Sequence, residues 1–210
     1  MNSSLFFPKL IRRKKYKLTR KNTYYANYSK YRQEIREDCL GRCVYCDCHE
    51  NELGGSESMA IDHFRPKDFP EFTHLKNDPH NLVWCCSRCN RLKWNHWPAL
   101  GTDDSICGEQ GFIDPFEVER LDFFGILDDG QLEPLKTPAS YLIELLHLNS
   151  ETPRLRRETR IQSHNIVKEI DVRLSNLNNQ ETLSITEKEL VNWLNRTKLV
   201  HMRALDFNLH

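Results

Sequence analysis

Long apolar runs are missing from this chain of 210 residues. None approaches the roughly 20 residues that a helix needs to cross a bilayer, which excludes a helical membrane protein. No secretory signal is expected, because the apolar stretch within Met1 to Leu10 is short and broken by Pro8. Residues 9–21 are basic and acid-free, a poor likeness of an organelle transit peptide. Net charge is absent too, with 30 Lys and Arg against 30 Asp and Glu, and no internal repeat is evident. With a mean hydropathy of −0.67, these absences lead to the expectation of a soluble, cytoplasmic protein. Its length allows one full core, or one core plus a small metal-stapled module.

The zero net charge hides a segregation along the chain. Residues 1–50 hold 12 Lys and Arg against 5 Asp and Glu, residues 51–97 hold 6 against 6, and residues 98–210 hold 12 against 19. Eight basic residues fall within positions 9–21, and Tyr16, Tyr24, Tyr25, Tyr28 and Tyr31 lie through and beyond that run. Cations interleaved with aromatics suit phosphate pairing with base or sugar stacking, so the arm is a candidate nucleic-acid contact. The blander reading is a solvated tail, or a docking strand for an acidic protein.

Cysteine, by contrast, is plentiful and patterned. Two pairs, Cys43-x-x-Cys46 and Cys86-x-x-Cys89, bracket the dipeptide Asp62-His63, and Asn90 follows the last of them at once. A CxxC pair presents two thiolates on one tight turn, and two such pairs complete the closed tetrahedral shell of a structural zinc. Cys46-Asp47-Cys48 and Cys85-Cys86 offer alternative sulfurs, but only the two CxxC pairs make matching knuckles. Cys39, Cys48, Cys85 and Cys107 are expected to be small buried or idle thiols.

Inside the bracket lie residues for a second, harder metal ion and a general base. Phosphodiester hydrolysis needs a water stripped of a proton and positive charge at the phosphate. His63 titrates near neutrality and is the natural base. Asp62 and Asn90 offer oxygen ligands suited to magnesium or manganese rather than to thiolate-held zinc. Asn81 is placed to hold the imidazole of His63, while Arg65 and Lys93 are candidates for substrate phosphate. A four-cysteine site alone is more often structural or nucleic-acid-binding than catalytic, so a non-catalytic zinc module is the competing reading.

The pattern around this bracket predicts a strand at Met59–Phe64 ended by Pro66, a loop over 66–80, a strand at Asn81–Cys85, and a helix from a Ser87 N-cap to about Trp94. Upstream, Tyr28 to Leu40 reads as a helix. Residues 103–133 carry ten acids and one base, Arg120, with a hairpin around Asp129-Gly130. Ser140–Leu148 and Arg154 to about Leu174 read as helices, residues 176–180 as a linker, and Thr186-x-x-Glu189 as the capping box of a last helix. Trp84, Trp94 and Trp97 are expected in the core around the zinc helix, and Trp193 is expected to pack the last helix.

Asp62-His63 with Pro66 following, the strand start Asn81-Leu82-Val83, and Cys86-x-x-Cys89-Asn90-x-x-Lys93 together resemble the HNH endonucleases, in their zinc-knuckle form. The resemblance spans about residues 41–95. It implies a ββα-metal core in which His63 is the general base, Asn81 orients it, Asp62 and Asn90 bind the catalytic ion, and Cys43, Cys46, Cys86 and Cys89 hold structural zinc. Asn90 stands where the family's name has histidine. The basic arm, residues 113–116, the strand pair near Gly125–Gly130, Leu146–Asn149 and the Arg-rich helix (Arg154, Arg156, Arg157, Arg160) are similar to PtuB-like HNH effectors. That likeness implies a role in anti-phage defence beside an ABC/SMC-type ATPase; the expected substrate is DNA, and an RNA-directed nuclease is a rival reading. The expected architecture is α+β: a basic N-terminal arm and helix at 1–40, a zinc-clamped core at 41–97, and an acidic, mostly helical region at 98–210.

Overall fold

The computed structural model describes residues 5–101, 104–180 and 182–206, so Met1 and Asp103 lie outside it. The fold is mixed α+β with small sheets, and a first helix, α1 (Arg32–Asp38), follows a 3₁₀ turn at Tyr28–Tyr31. Strand β1 (Met59–His63) pairs antiparallel with β2 (Leu82–Cys86), placing Met59 opposite Cys86 and His63 opposite Leu82. Helix α2 (Ser87–Lys93) starts where β2 stops. Every residue of β2 is buried, as expected of a strand covered on both faces. Two further hairpins follow, β3 (Ile106–Cys107) with β4 (Gln110–Gly111), and β5 (Phe124–Ile126) with β6 (Leu132–Pro134). The chain ends in α3 (Ala139–Leu145), α4 (Glu151–Asn178) and α5 (Ile185–Asp206). No helix among the described residues is long and apolar enough to cross a membrane.

Four local expectations are corrected. The N-cap of α2 is Cys86, whose sulfur accepts from the Cys89 N–H at 3.4 Å, in place of Ser87. Helix α4 runs on through Asn178, so the Asn-rich segment is mostly helix rather than linker. The cap of α5 is Ser184-x-x-Glu187: Glu187 accepts from the Ser184 N–H at 2.8 Å and the Ser184 hydroxyl accepts from the Glu187 N–H at 3.2 Å. Trp193, expected to pack α5, is 58% exposed; Leu194 faces inward instead.

Arg157 and Arg160 of α4 are structural. Arg157 donates to the carbonyls of Gly130 at 2.6 Å and Leu148 at 2.8 Å, and Asn149 completes β6 by exchanging two hydrogen bonds with Leu132. Gly130, at φ +81°, lies so close to α4 that a Cβ would meet the Arg154 carbonyl oxygen at 2.3 Å, which excludes any side chain there. Arg160 donates to Asp47 at 2.8 Å and to Glu52 at 3.0 Å, while Arg42 reaches the same Asp47 carboxylate at 3.3 Å. Burial opposes the charge on Asp47, yet Arg42, Arg160 and Arg120 outweigh it and hold its pKa below the ordinary value. This buried network fastens the first cysteine knuckle to α4.

The basic arm is also largely folded onto the protein. Leu5, Phe6, Phe7 and Leu10 are buried, and Phe7 stacks on Phe124 at 5.4 Å between ring centroids. Arg12 donates to the carbonyls of Pro79 and Leu82, both at 3.0 Å; Arg13 pairs with Asp38 at 2.7 Å and Lys17 with Glu34 at 2.9 Å. Lys14, Lys15, Arg20 and Lys21 stay exposed. Of the eight cations in the run, Lys9, Arg13 and Lys17 thus pair with this chain's own acids and Arg12 with backbone carbonyls, while the other four face outward.

Candidate functional site

The sulfurs of Cys43, Cys46, Cys86 and Cys89 converge, all within 4.8 Å of one another and all buried. Cys46 and Cys86 approach to 3.8 Å, and the edge of a tetrahedron with zinc–sulfur bonds of about 2.3 Å is about 3.8 Å. Contacts from Cys43, Cys46 and Cys89 draw the Cys86 thiol toward its thiolate form, whereas contacts from Cys43, Cys46 and Cys86 push Cys89 up. Four buried sulfurs competing for charge at this spacing are the donor set of a soft, structural cation such as zinc. Cys39 accepts from the Trp84 N–H, Cys85 faces the Ala60 carbonyl, Cys48 meets Arg156, and Cys107 is exposed; none of the four joins the cluster.

From this cluster the chain reaches directly into a cleft of about 480 Å³ whose lining includes Tyr28, Asp62, His63, Lys67, Asn90, Arg91 and Trp94. Tyr45, inside the first knuckle, donates to Asp62 Oδ2 at 2.6 Å. Lys93, at the end of α2, places its ammonium 3.1 Å from the same oxygen and donates to the His63 carbonyl at 2.9 Å. The two knuckles therefore hold Asp62 from both sides. Burial pushes the Tyr45 hydroxyl well above its ordinary pKa, and the Asp62 charge adds to this, so it remains a donor.

His63 ends β1, largely buried, with its ring edge-on to Tyr28 at 4.8 Å between centroids. Its Nε2 lies 2.8 Å from the Lys76 carbonyl oxygen, an acceptor only, so Nε2 carries the hydrogen and Nδ1 the lone pair. Burial lowers the imidazole pKa; Lys67 and Lys93 work the same way, against the Lys76 hydrogen bond and the Asp62 charge. The ring is held neutral at pH 7, the state required of a base.

The expected site residues thus divide. Asp62, His63 and Asn90 line one cleft. Asn81 is adjacent but holds backbone, not imidazole: it accepts from the Arg65 N–H and donates to the Arg65 carbonyl, both at 2.9 Å, while its own carbonyl accepts from Phe64 N–H at 2.8 Å. It fixes the turn that ends β1, and Lys76 supplies the contact to the ring. Lys93, expected to meet phosphate, is 0% exposed and ion-paired, and Arg65 turns its guanidinium toward the Phe72 ring, 5.7 Å from its centre. The cations that line the cleft are Lys67 and Arg91. Tyr45, Lys67 and Arg91 were legible only as neighbours of motif residues, since each sits within two positions of a cysteine or of Pro66 or Asn90.

Lys93 gives a direct test of this geometry. Lys93→Met removes the ammonium and leaves the Asp62 carboxylate buried with Tyr45 alone, a situation that costs about 3–5 kcal/mol. Urea unfolding in EDTA should show a loss of that order, whereas Arg65→Met should lose under 1 kcal/mol, as expected of a partly exposed side chain on the order of most surface changes.

In comparisons with known proteins the chain matches no family model, no curated protein and no solved structure.

Proposed function

We propose that this protein is a metal-dependent endonuclease of the HNH kind that hydrolyses phosphodiester bonds of DNA. One observation carries the reading: Asp62, His63 and Asn90 meet on one cleft, at the seam of a strand pair and a helix whose first turn belongs to a four-cysteine cluster. The donor set fits a hard cation. Asp62 Oδ2 is engaged by Tyr45 and Lys93, which leaves Oδ1 for a metal, and the Asn90 side chain adds a neutral oxygen. Two protein oxygens with room for water are what magnesium or manganese takes. Asp62 and Asn90 would hold such an ion, which would supply positive charge at the scissile phosphate and at the departing oxygen.

The chain's own residues do the rest. Lys76 locks the tautomer of His63, and Nδ1 takes one proton from a water as its oxygen bonds to phosphorus. The bond from phosphorus to the leaving sugar oxygen then breaks, and that oxygen takes a proton from solvent water. Lys67 and Arg91 give neighbouring phosphates cationic partners. Cys43, Cys46, Cys86 and Cys89 act as a clamp that presents Tyr45 and α2 to Asp62 and takes no part in the reaction. The fuller proposal, supported by the resemblance of the C-terminal segments, makes the protein the nuclease effector of an anti-phage system that works beside an ABC/SMC-type ATPase.

The test is digestion of supercoiled plasmid and of structured RNA, side by side, in magnesium or manganese and in EDTA. The expected result is metal-dependent nicking of plasmid that stops in EDTA. Cleavage of RNA alone would move the substrate to RNA. Metal-independent binding without cleavage, unchanged in Asp62→Ala and Asn90→Ala, would leave a non-catalytic zinc module.

A further inference from the structure

Trp94 breaks the rules that the rest of the zinc helix obeys. It was expected in the core, yet it is 70% exposed, while Trp84 and Trp97 are buried. Its backbone, anchored by an N–H donated to the Asn90 carbonyl, stands at φ 40° and ψ −123°. Glycine favours that conformation, and a bulky L-residue enters it only at a cost. Neither a strained backbone nor a solvated indole stabilises the fold. Both become intelligible if the indole is used, and it lines the cleft that holds Asp62, His63 and Asn90.

The same cleft is lined by a second aromatic. Tyr28 comes from the end of the basic arm, rests against the His63 ring, and has the Lys67 ammonium 5.3 Å from its ring centre. Two aromatic rings and two cations, Lys67 and Arg91, line the same cleft and offer flat apolar surface and positive charge at one place. That pairing of stacking surface and cation matches an unpaired nucleobase with its phosphate. A base inside a duplex already has both faces stacked on its neighbours, so only an unpaired or turned-out base can use such a surface.

We propose that Trp94, with Tyr28, is a stacking platform for an unpaired nucleobase beside the phosphate that is cut, so that the substrate is single-stranded or locally unpaired nucleic acid. The word "cut" rests on the nuclease reading; the stacking does not. Binding is therefore measured in EDTA, on the full chain, with oligothymidylate and with a duplex of equal length. Trp94→Ala should weaken oligothymidylate binding roughly tenfold or more and leave duplex binding within about twofold, and Trp94→Phe should restore most of the loss. Oligothymidylate should quench indole fluorescence in wild type and in Trp193→Phe but not in Trp94→Phe.

Wild-type affinity in Trp94→Ala, an equal loss for duplex and single strand, or quenching that survives Trp94→Phe overturns the platform. If the platform results hold but no metal supports cleavage of any strand, the nuclease reading fails and the platform stands. If wild type and Trp94→Ala cleave alike with unchanged single-strand affinity, the platform fails and the nuclease reading stands.

Discussion

His63→Ala should lower the cleavage rate by about 10²–10⁴-fold, the usual contribution of a positioned general base, while zinc content and melting temperature stay near those of wild type. The fold tolerates the change because the imidazole contributes one hydrogen bond, to the Lys76 carbonyl, and an edge contact with Tyr28; the four cysteines and the Asp62–Lys93 pair are untouched. The pH profile sharpens the test. Burial sets the His63 pKa below its ordinary value of 6.5, so the neutral base persists under mildly acidic conditions and the acid limb of the rate profile should fall below pH 6.5. The same shift bears on stability with a definite sign. Because the unfolded state takes up a proton more readily, the contribution of His63 to stability is complete above about pH 6.5 and is lost as the pH falls below it. His63→Ala should flatten that part of the stability curve while lowering turnover at every pH. Undiminished cleavage by a clean His63→Ala preparation would remove His63 from the mechanism.

The parts of this site that the sequence discloses are those set by local rules. Pro66 ends a strand, Asn81 to Cys85 is a short apolar run, and the CxxC spacing fixes a turn, so β1, β2 and α2 are legible almost to the residue. What stays hidden is which way charged side chains turn. Helical spacing puts Lys93 on the face of Asn90, but it does not tell that a lysine beside a carboxylate and a carbonyl is cheaper inside than in the cleft. The buried Arg157 and Arg160 escape for the same reason: an apolar pattern registers them as a solvated face, whereas carbonyls and Asp47, brought from distant segments, satisfy them. The basic arm reads as free for nucleic acid because its acidic partners, Asp38, Glu34 and Glu37, lie two dozen residues on. Trp94 is the converse case, a residue whose type says core and whose backbone says otherwise.

Cys86→Ser should unfold the centre of the molecule. Structural zinc sites contribute on the order of 10–16 kcal/mol of binding free energy, comparable to or larger than the roughly 5–15 kcal/mol that holds a whole domain together. Cys86 carries a double load, since its sulfur belongs to the cluster and also accepts from the Cys89 N–H to begin α2. Losing it releases the helix that presents Asn90 and Lys93 and slackens the knuckle through which Tyr45 holds Asp62. The variant should therefore lose its equivalent of zinc, melt far below wild type or fail to accumulate, and show no cleavage. Cys107→Ser, at an exposed sulfur outside the cluster, should keep all three properties. Metal removal separates the two proposed ions. A brief exposure to EDTA should stop cleavage, and magnesium should restore it at once, because a hard cation on two oxygens exchanges freely. The closed, buried sulfur shell should hold its zinc through that treatment and release it only when the thiolates are attacked by a mercurial or the chain is unfolded. A Cys86→Ser protein that retains stoichiometric zinc and wild-type melting would show that the four sulfurs are not the clamp, and with it the physical link between the cluster and Asp62 would be gone.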